Sequence, residues 1–345
     1  MIRLTLFYRH PNPDFFSIER VFGNIAAQLR RQYPGEIGVE ETRMPVVSKP
    51  RNLFANISFT RRHQTGVNHV TGDVHYALLG CSRLNVKVLT IHDCVSVQKY
   101  SRTDPRYWVI KWIWFDWPAR YADHITVISE STKKELLRLV RVRPEKVTVI
   151  SNYIDPGFTA IPATSFNAAY PRILFIGKTP NKNLGRLAEA LRDIPAILDV
   201  VGQLDDDQRE VLKKNGIRHE ESFGLSQDQL LEKYRDCDLL AFPSTYEGFG
   251  LPIVEAQSVG RPVLTSALSP MQEVAGAGAC LVDPFDSNAI RKGLLRIIND
   301  PVYREQLVQL GWQNVTRFSL ERVTDQYMNL YRRLTREKNN LKLPD

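Results

Sequence analysis

Asp238-Leu239-Leu240-Ala241-Phe242-Pro243 runs directly into Ser244-Thr245-Tyr246-Glu247-Gly248-Phe249-Gly250-Leu251-Pro252-Ile253-Val254-Glu255, the most informative run of the chain. Its apolar first part predicts a strand buried on both faces, as in a parallel sheet. Residues 253–259 predict a short helix stopped by Gly260, and Pro262-Val263-Leu264-Thr265-Ser266 predicts the next strand. In such a strand–helix–strand unit ligands bind beyond the carboxyl ends of the strands, where Glu247 to Leu251 must lie. Gly248 and Gly250 permit backbone angles and close approach that a Cβ would block, and Pro252 suits a first helical turn. The free amides of Phe249, Gly250 and Leu251 are thus expected to form a receptor for an anion or a hydroxyl.

Outward from this run, strand and helix signals alternate. In the first half, strands are expected at Ile2–Tyr8, Val67–Val70, Val86–Ile91, 125–129 and 147–151, with helices at 17–31, 105–120 and 131–140. Periodicity fails over 152–171, which reads as a linker rich in Pro, Ala, Ser and Thr. The pattern restarts with strands at 172–177, 197–202, one ending near Phe223, the central unit above and one at 280–283. Helices are expected at 183–192, 207–215 and 227–236, and from Ser287, Pro301 and Ser319. At 345 residues and 43% hydrophobic content the chain can hold two cores of about 150 residues each. The expected organisation is an N-terminal domain at 1–160, a second domain at 161–318, and a C-terminal helix at 319–345 that can cross back to the first domain. The fold class is α/β, two doubly wound Rossmann-like domains facing a cleft.

Charge is uneven. Residues 1–165 carry 23 Lys+Arg against 14 Asp+Glu, and the remainder 23 against 24. A basic first half suits an anionic membrane surface or a phosphorylated acceptor as well as a solvated face, and no helix-turn-helix, zinc-finger or RNP-type pattern supports a nucleic-acid partner. Cys81, Cys94, Cys237 and Cys280 stand far apart without a CxxC, which predicts buried free thiols rather than a metal site or disulfides. No apolar run approaches the length that spans a bilayer, and the N-terminus reads as a strand rather than a signal peptide, so a cytoplasmic location is expected.

Five motifs in order then resemble one family. They are Thr90-Ile91-His92-Asp93; Ala122 to Ser131; Pro144 to Asn152; Lys178-Thr179-Pro180-Asn181-Lys182-Asn183-Leu184; and Phe223-Gly224-Leu225-Ser226 with Leu230, Tyr234, Cys237 and Asp238 leading to the E-x7-E pair Glu247 and Glu255. Together, over residues 67–335, they resemble the retaining two-domain glycosyltransferases of GT-B fold, family 4. The resemblance implies a nucleotide-diphosphate sugar as co-substrate, no other cofactor, no metal, and retention of anomeric configuration by a front-face route in which the donor phosphate assists acceptor deprotonation.

A nucleotide sugar needs a grip on its ribose diol, neutralisation of its diphosphate and a frame around its sugar. The resemblance makes Glu255 the ribose ligand, two carboxylate oxygens serving two vicinal hydroxyls. A capping-box role is poor for it, because Pro252 stands where Ser or Thr is required. Glu247 is expected to hold sugar hydroxyls. Lys178 and Lys182 follow the 172–177 strand and are expected to project together toward phosphate oxygens, with the glycine-turn amides adding to them. The family often has Arg at the position of Lys178, so a bidentate contact becomes a point charge. His92, at a strand's carboxyl end beside Asp93, is expected to touch the donor sugar and is not assigned as a nucleophile.

Two patterns compete with site roles. Asp205-Asp206-Asp207 resembles a metal-binding DxD but better suits a helix N-terminus. Trp108, Trp112 and Trp114 share no clean face at helical periodicity, so this Trp-rich segment is expected to be a buried helix with partial exposure rather than a membrane anchor. The chain also lacks the family's Gly-Gly loop after its first strand. It has His10 to Glu19 instead, with Ser17 expected to cap the first helix and Arg20 near its start, which leaves the acceptor unread. The expected function is transfer of a sugar to a saccharide or lipid-linked saccharide acceptor, with peripheral attachment to an anionic membrane. The alternatives are a nucleotide-sugar epimerase and a non-enzymatic nucleotide- or nucleic-acid-binding module.

Overall fold

The computed structural model describes residues 1–11, 17–160 and 165–340. The expectation for the loop at 12–16 and for the Ser17 side chain therefore lies outside the described residues. The chain divides into two compact units, Met1–Tyr153 with Leu320–Asp345, and Ile154–Ser319.

The N-terminal unit is built on β1 (Ile2–Tyr8), β2 (Ile37–Arg43), β3 (Val67–Val70), β4 (Val86–Ile91), β5 (His124–Val127) and β6 (Val147–Val149). They pair in parallel in the order β2-β1-β3-β4-β5-β6. Helices cover both faces, so central strands such as β4 are buried throughout. The helix Leu320–Asn340 returns to this unit, packing Val323, Tyr327, Met328 and Tyr331 against Leu4, Leu6, Phe22 and Val88.

The second unit contains β7 (Arg172–Ile176), β8 (Ile197–Val201), β9 (His219–Ser222), β10 (Leu239–Phe242), β11 (Val263–Ser266) and β12 (Cys280–Val282), all parallel in the order β12-β11-β10-β7-β8-β9. Connections from β7 and β10 diverge to opposite sides of the sheet, which makes this adjacent pair the topological switch point. The corresponding reversal in the first unit falls between β1 and β3.

Beyond short helices such as Val95–Gln98 and Met271–Ala275, three elements depart from expectation. No strand is expected at 37–43, yet β2 forms there as an edge strand paired with β1, and its exposed Glu40, Glu41 and Arg43 mask the usual alternation. The helix Leu53–His63 is also unexpected from apolar spacing, because the residues it buries are Asn56 and Thr60. The segment at 105–120 is not one α-helix but Pro105–Ile110, a π-helical stretch Lys111–Asp116 and Trp117–Tyr121. All four cysteines are free and buried, and burial pushes the Cys81 and Cys237 thiols up to about 12.

Candidate functional site

At the carboxyl ends of β7 and β10 two loops are stitched together. Gly177 ends β7 at φ +110°, a conformation that favours glycine. The turn Pro180–Lys182 follows, and Asn183 takes the left-handed conformation at φ 69° to start the helix Leu184–Leu191. The buried Asn183 amide donates to the carbonyls of Pro243 and Pro284 at 3.0 and 2.7 Å. Asn181 Nδ2 donates to the Tyr246 carbonyl at 2.8 Å, while its own carbonyl accepts from the Thr245 amide at 2.8 Å. This stitching carries Lys182 Nζ to 2.6 Å from Glu247 Oε1, with both side chains less than one-fifth exposed. The same ammonium lies 4.6 Å from the centroid of the Phe242 ring.

Beyond Glu247 the chain turns into the helix Leu251–Ser258 through Gly250 at φ +103°. Among the described residues no protein acceptor takes the amides of Phe249, Gly250 or Leu251, so these donors at a helix N-terminus stay available. The Phe249 ring is buried edge-on against Phe318, with centroids 5.6 Å apart. Gly248 lies between Glu247 and this turn.

Glu255 is only 7% exposed. The fully buried Tyr234 hydroxyl donates to its Oε2 at 2.6 Å. Burial first, then the Glu255 charge, push the Tyr234 pKa well up, so the hydroxyl keeps its proton and donates. Oε2 thus already accepts one hydrogen bond from within the protein, and it keeps a second lone pair. Tyr234 is itself fixed by Arg261 Nε on its carbonyl at 3.1 Å and by edge-on contact with Phe158.

Lys178 and Lys182 differ in their surroundings. Lys182 is ion-paired, whereas the Lys178 ammonium has no carboxylate partner among the described residues. Lys178 borders a cavity of about 500 Å³ with Thr179, Pro180, Arg186, Asp205 and Asp207. Gln208 Nε2 donates to the Lys178 carbonyl at 2.6 Å, and Gln208 also closes a capping box with Asp205 at the start of the helix Asp206–Lys214. Asp205 therefore caps a helix. Among the described residues no three His, Cys, Asp or Glu side chains are grouped to hold a metal ion.

In the N-terminal unit His92 follows β4. Its Nε2 lies 2.8 Å from the Thr71 carbonyl, an acceptor only, so Nε2 carries the proton and donates. Burial lowers the His92 pKa, leaving a neutral ring whose Nδ1 has no protein partner among the described residues. Phe22 packs edge-on against it at 6.2 Å. Asp93 Oδ1 accepts from the Val95 amide at 2.9 Å and so caps the next turn.

Residues 159–312 match the family model described as glycosyl transferases group 1, and residues 18–158 match that of glycosyltransferase family 4. The chain belongs to the group 1 glycosyltransferases. Over 230 residues it is 30% identical to the O-antigen chain mannosyltransferase B of Escherichia coli, a match covering 61% of this chain and 60% of that one. The chain thus spans about three-fifths of that relative's length. Its fold is similar to that of sucrose-phosphate synthase from Thermosynechococcus elongatus, with a TM-score of 0.76, 19% identity, and 97% and 99% of the two chains covered. It is also similar to Anabaena Alr3699/HepE, solved in complex with UDP and glucose, with a TM-score of 0.72, 18% identity, and 96% and 99% covered. At these identities the likeness to the two structures is one of fold.

In this group 1 glycosyltransferase several residues that fasten the site, Tyr234 on the helix Gln227–Asp236 and two in the loop after β7, escape sequence reasoning. Tyr234 falls in a motif but reveals no role, because its partner Glu255 is 21 positions away. Asn181 and Asn183 act as loop fasteners, and only the preference of Asn for left-handed backbone at a helix start signals Asn183.

Proposed function

We propose that this chain is a retaining glycosyltransferase that moves a hexose from a nucleotide-diphosphate sugar to a saccharide or lipid-linked saccharide acceptor. The observation that carries the reading is the Lys182–Glu247 ion pair beside the open amides of Phe249, Gly250 and Leu251, at the switch point of a parallel sheet. A diphosphate places its charge on those amides, on the unpaired Lys178 ammonium and on Lys182, which exchanges part of its contact with Glu247 for phosphate. Glu247 then accepts from sugar hydroxyls. Glu255, held by Tyr234, takes the ribose diol.

In the reaction the bond between the anomeric carbon and the phosphate oxygen breaks. The acceptor oxygen bonds to the same face of that carbon, and its proton passes to the departing phosphate oxygen, releasing nucleoside diphosphate. The positive groups stabilise charge that grows on the leaving group, and this reading assigns that work to protein donors without a metal ion. His92, neutral and with Nδ1 as an acceptor, is assigned to a donor-sugar hydroxyl. Mannosyltransferases among the relatives make a mannosyl donor the first to test. The basic N-terminal half supports a lipid-linked acceptor and a peripheral membrane location on the cytoplasmic side.

The test incubates the protein with UDP-, GDP-, ADP- and dTDP-hexoses, GDP-mannose among them, with and without saccharide acceptors and with excess EDTA. The expected result is acceptor-dependent nucleotide release that resists EDTA, is lost in Glu247→Gln, and yields a product with the donor's anomeric configuration by NMR. An epimerised sugar without transfer, or an inverted product, overturns the reading.

A further inference from the structure

The Trp-rich segment is far more exposed than its sequence suggests, and the backbone explains why. In an α-helix residues five apart are offset by about 140°, so Trp112 and Trp117 should diverge. The π-helical stretch Lys111–Asp116, whose hydrogen bonds close five residues on, returns them to one face. Their rings stack with centroids 4.9 Å apart. Trp108, one α-turn earlier, joins them, and Trp108, Val109, Trp112 and Trp117 are 55, 55, 53 and 46% exposed. The opposite face is anchored: Phe115 is buried, Trp114 Nε1 donates to the Asp73 carbonyl at 3.0 Å, and the Trp114 carbonyl accepts from His75 Nδ1 at 2.7 Å. Three exposed indoles therefore stand on an anchored segment, Trp112 and Trp117 stacked and Trp108 fixed by its Nε1 on the Arg102 carbonyl at 2.9 Å.

Cations outnumber acids beside this face. The two acids of the segment are neutralised internally, Asp104 by Arg106 and Asp116 by Lys111. A cavity of about 760 Å³ opens next to Trp108 and Lys111, lined also by Arg102, Arg138 and Arg141, with Glu135 as its acid. Among the described residues those three arginines have no carboxylate partner. Among the described residues no helix is long and apolar enough to cross a membrane.

We propose that this face docks the chain on the surface of an anionic phospholipid bilayer, the indoles of Trp108, Trp112 and Trp117 entering the headgroup region and Arg102, Arg138 and Arg141 meeting lipid phosphates. Indole rings, apolar in body with one N–H donor, partition to that depth, and each arginine near an anionic surface adds attraction that salt screens. A helix lying in the interface needs an apolar face flanked by cations, which is the arrangement here. The proposal names the surface behind the lipid-linked reading above. Its test uses no donor or acceptor, so failure of docking and failure of transfer are separable.

The full chain is sedimented with vesicles of phosphatidylcholine alone and of phosphatidylcholine mixed equally with phosphatidylglycerol, at low and high salt. Tryptophan quenching by brominated lipid is read in parallel, which reports this segment because it holds four of the five tryptophans. Binding is expected on the anionic vesicles, weakened by salt, with strong quenching. Arg138→Glu and Arg141→Glu should each weaken it by about fivefold or more, and Trp108→Ala/Trp112→Ala/Trp117→Ala by about tenfold or more. Phe223→Ala, which removes a 60%-exposed ring from the other unit, should leave it unchanged. If the triple variant fails to fold, quenching in the unsubstituted protein decides. Absence of quenching, equal binding to neutral vesicles, or self-association in solution that the same tryptophan substitutions abolish overturns the proposal.

Discussion

A Cβ at position 177 would stand 2.7 Å from Lys182 Cε, so the Lys182 side chain reaches Glu247 across a space that only a glycine leaves open. Gly177 also holds φ +110°, which strains any other residue. Gly177→Ala is expected to cost about 1–3 kcal/mol of stability and, by displacing Lys182, to lower transfer rate by about a hundredfold. Urea unfolding and single-turnover assays measure the two effects. A variant destabilised but fully active would show that Lys182 does not need its present position.

Lys182 and Glu247 are expected to act as a unit. Glu247→Gln or Lys182→Met alone should reduce kcat by about 10²–10³-fold. The double variant should fall little further than either single one, since each substitution already breaks the shared ion pair. Steady-state kinetics on the four proteins gives the coupling, and fully multiplicative losses would mean that the two groups work independently.

Tyr234→Phe removes the hydroxyl that donates to Oε2 of the buried Glu255 carboxylate. A loss of about 1–3 kcal/mol in stability is expected. If Glu255 holds ribose, KM for the donor should rise more than kcat falls, and direct nucleotide titration should show the same weakening. A fall in kcat alone, with nucleotide affinity intact, would remove Glu255 from the ribose.

Buried histidines make the protein acid-sensitive. Burial holds the His69 pKa down at about 3, well below its unfolded value near 6.5. The folded ring stays neutral, its nitrogens 2.7 Å from the Tyr331 and Thr90 hydroxyls. Below about pH 6.5 the unfolded chain takes up a proton that the folded one refuses, so stability is full above that pH and falls progressively toward pH 3. His124, lowered to about 4, acts in the same direction down to its own pKa. Urea midpoints measured from pH 7.5 to 5 should decline below 6.5, and His69→Gln should flatten the decline. An unchanged slope in that variant would assign the acid sensitivity to other groups.

Most elements of both sheets are legible in the sequence because parallel strands covered on both faces are apolar runs, as in β4 and β10, and because glycine, proline and capping residues punctuate them. The edge strand β2 and the helix Leu53–His63 are not, since their buried positions include too little apolar surface to set a period. At the candidate site the acids, lysines and glycine turn can each be named from local pattern. Their partners cannot: Lys182 meets Glu247 across 65 positions, which depends on β7 and β10 being neighbours.

From its sequence alone this protein is two α/β halves with acidic and basic groups at strand ends, because burial periodicity and backbone propensity act over a few residues. Tertiary structure decided that, among the described residues, Lys182 has a carboxylate partner while Lys178 has none, that Tyr234 holds Glu255, and that Trp112 and Trp117 stack on an exposed face beside the exposed Trp108. The first two follow from which strands and helices lie side by side, and the third from a π-helical stretch that changes the angle between successive side chains; neither is written in the spacing of residues along the chain.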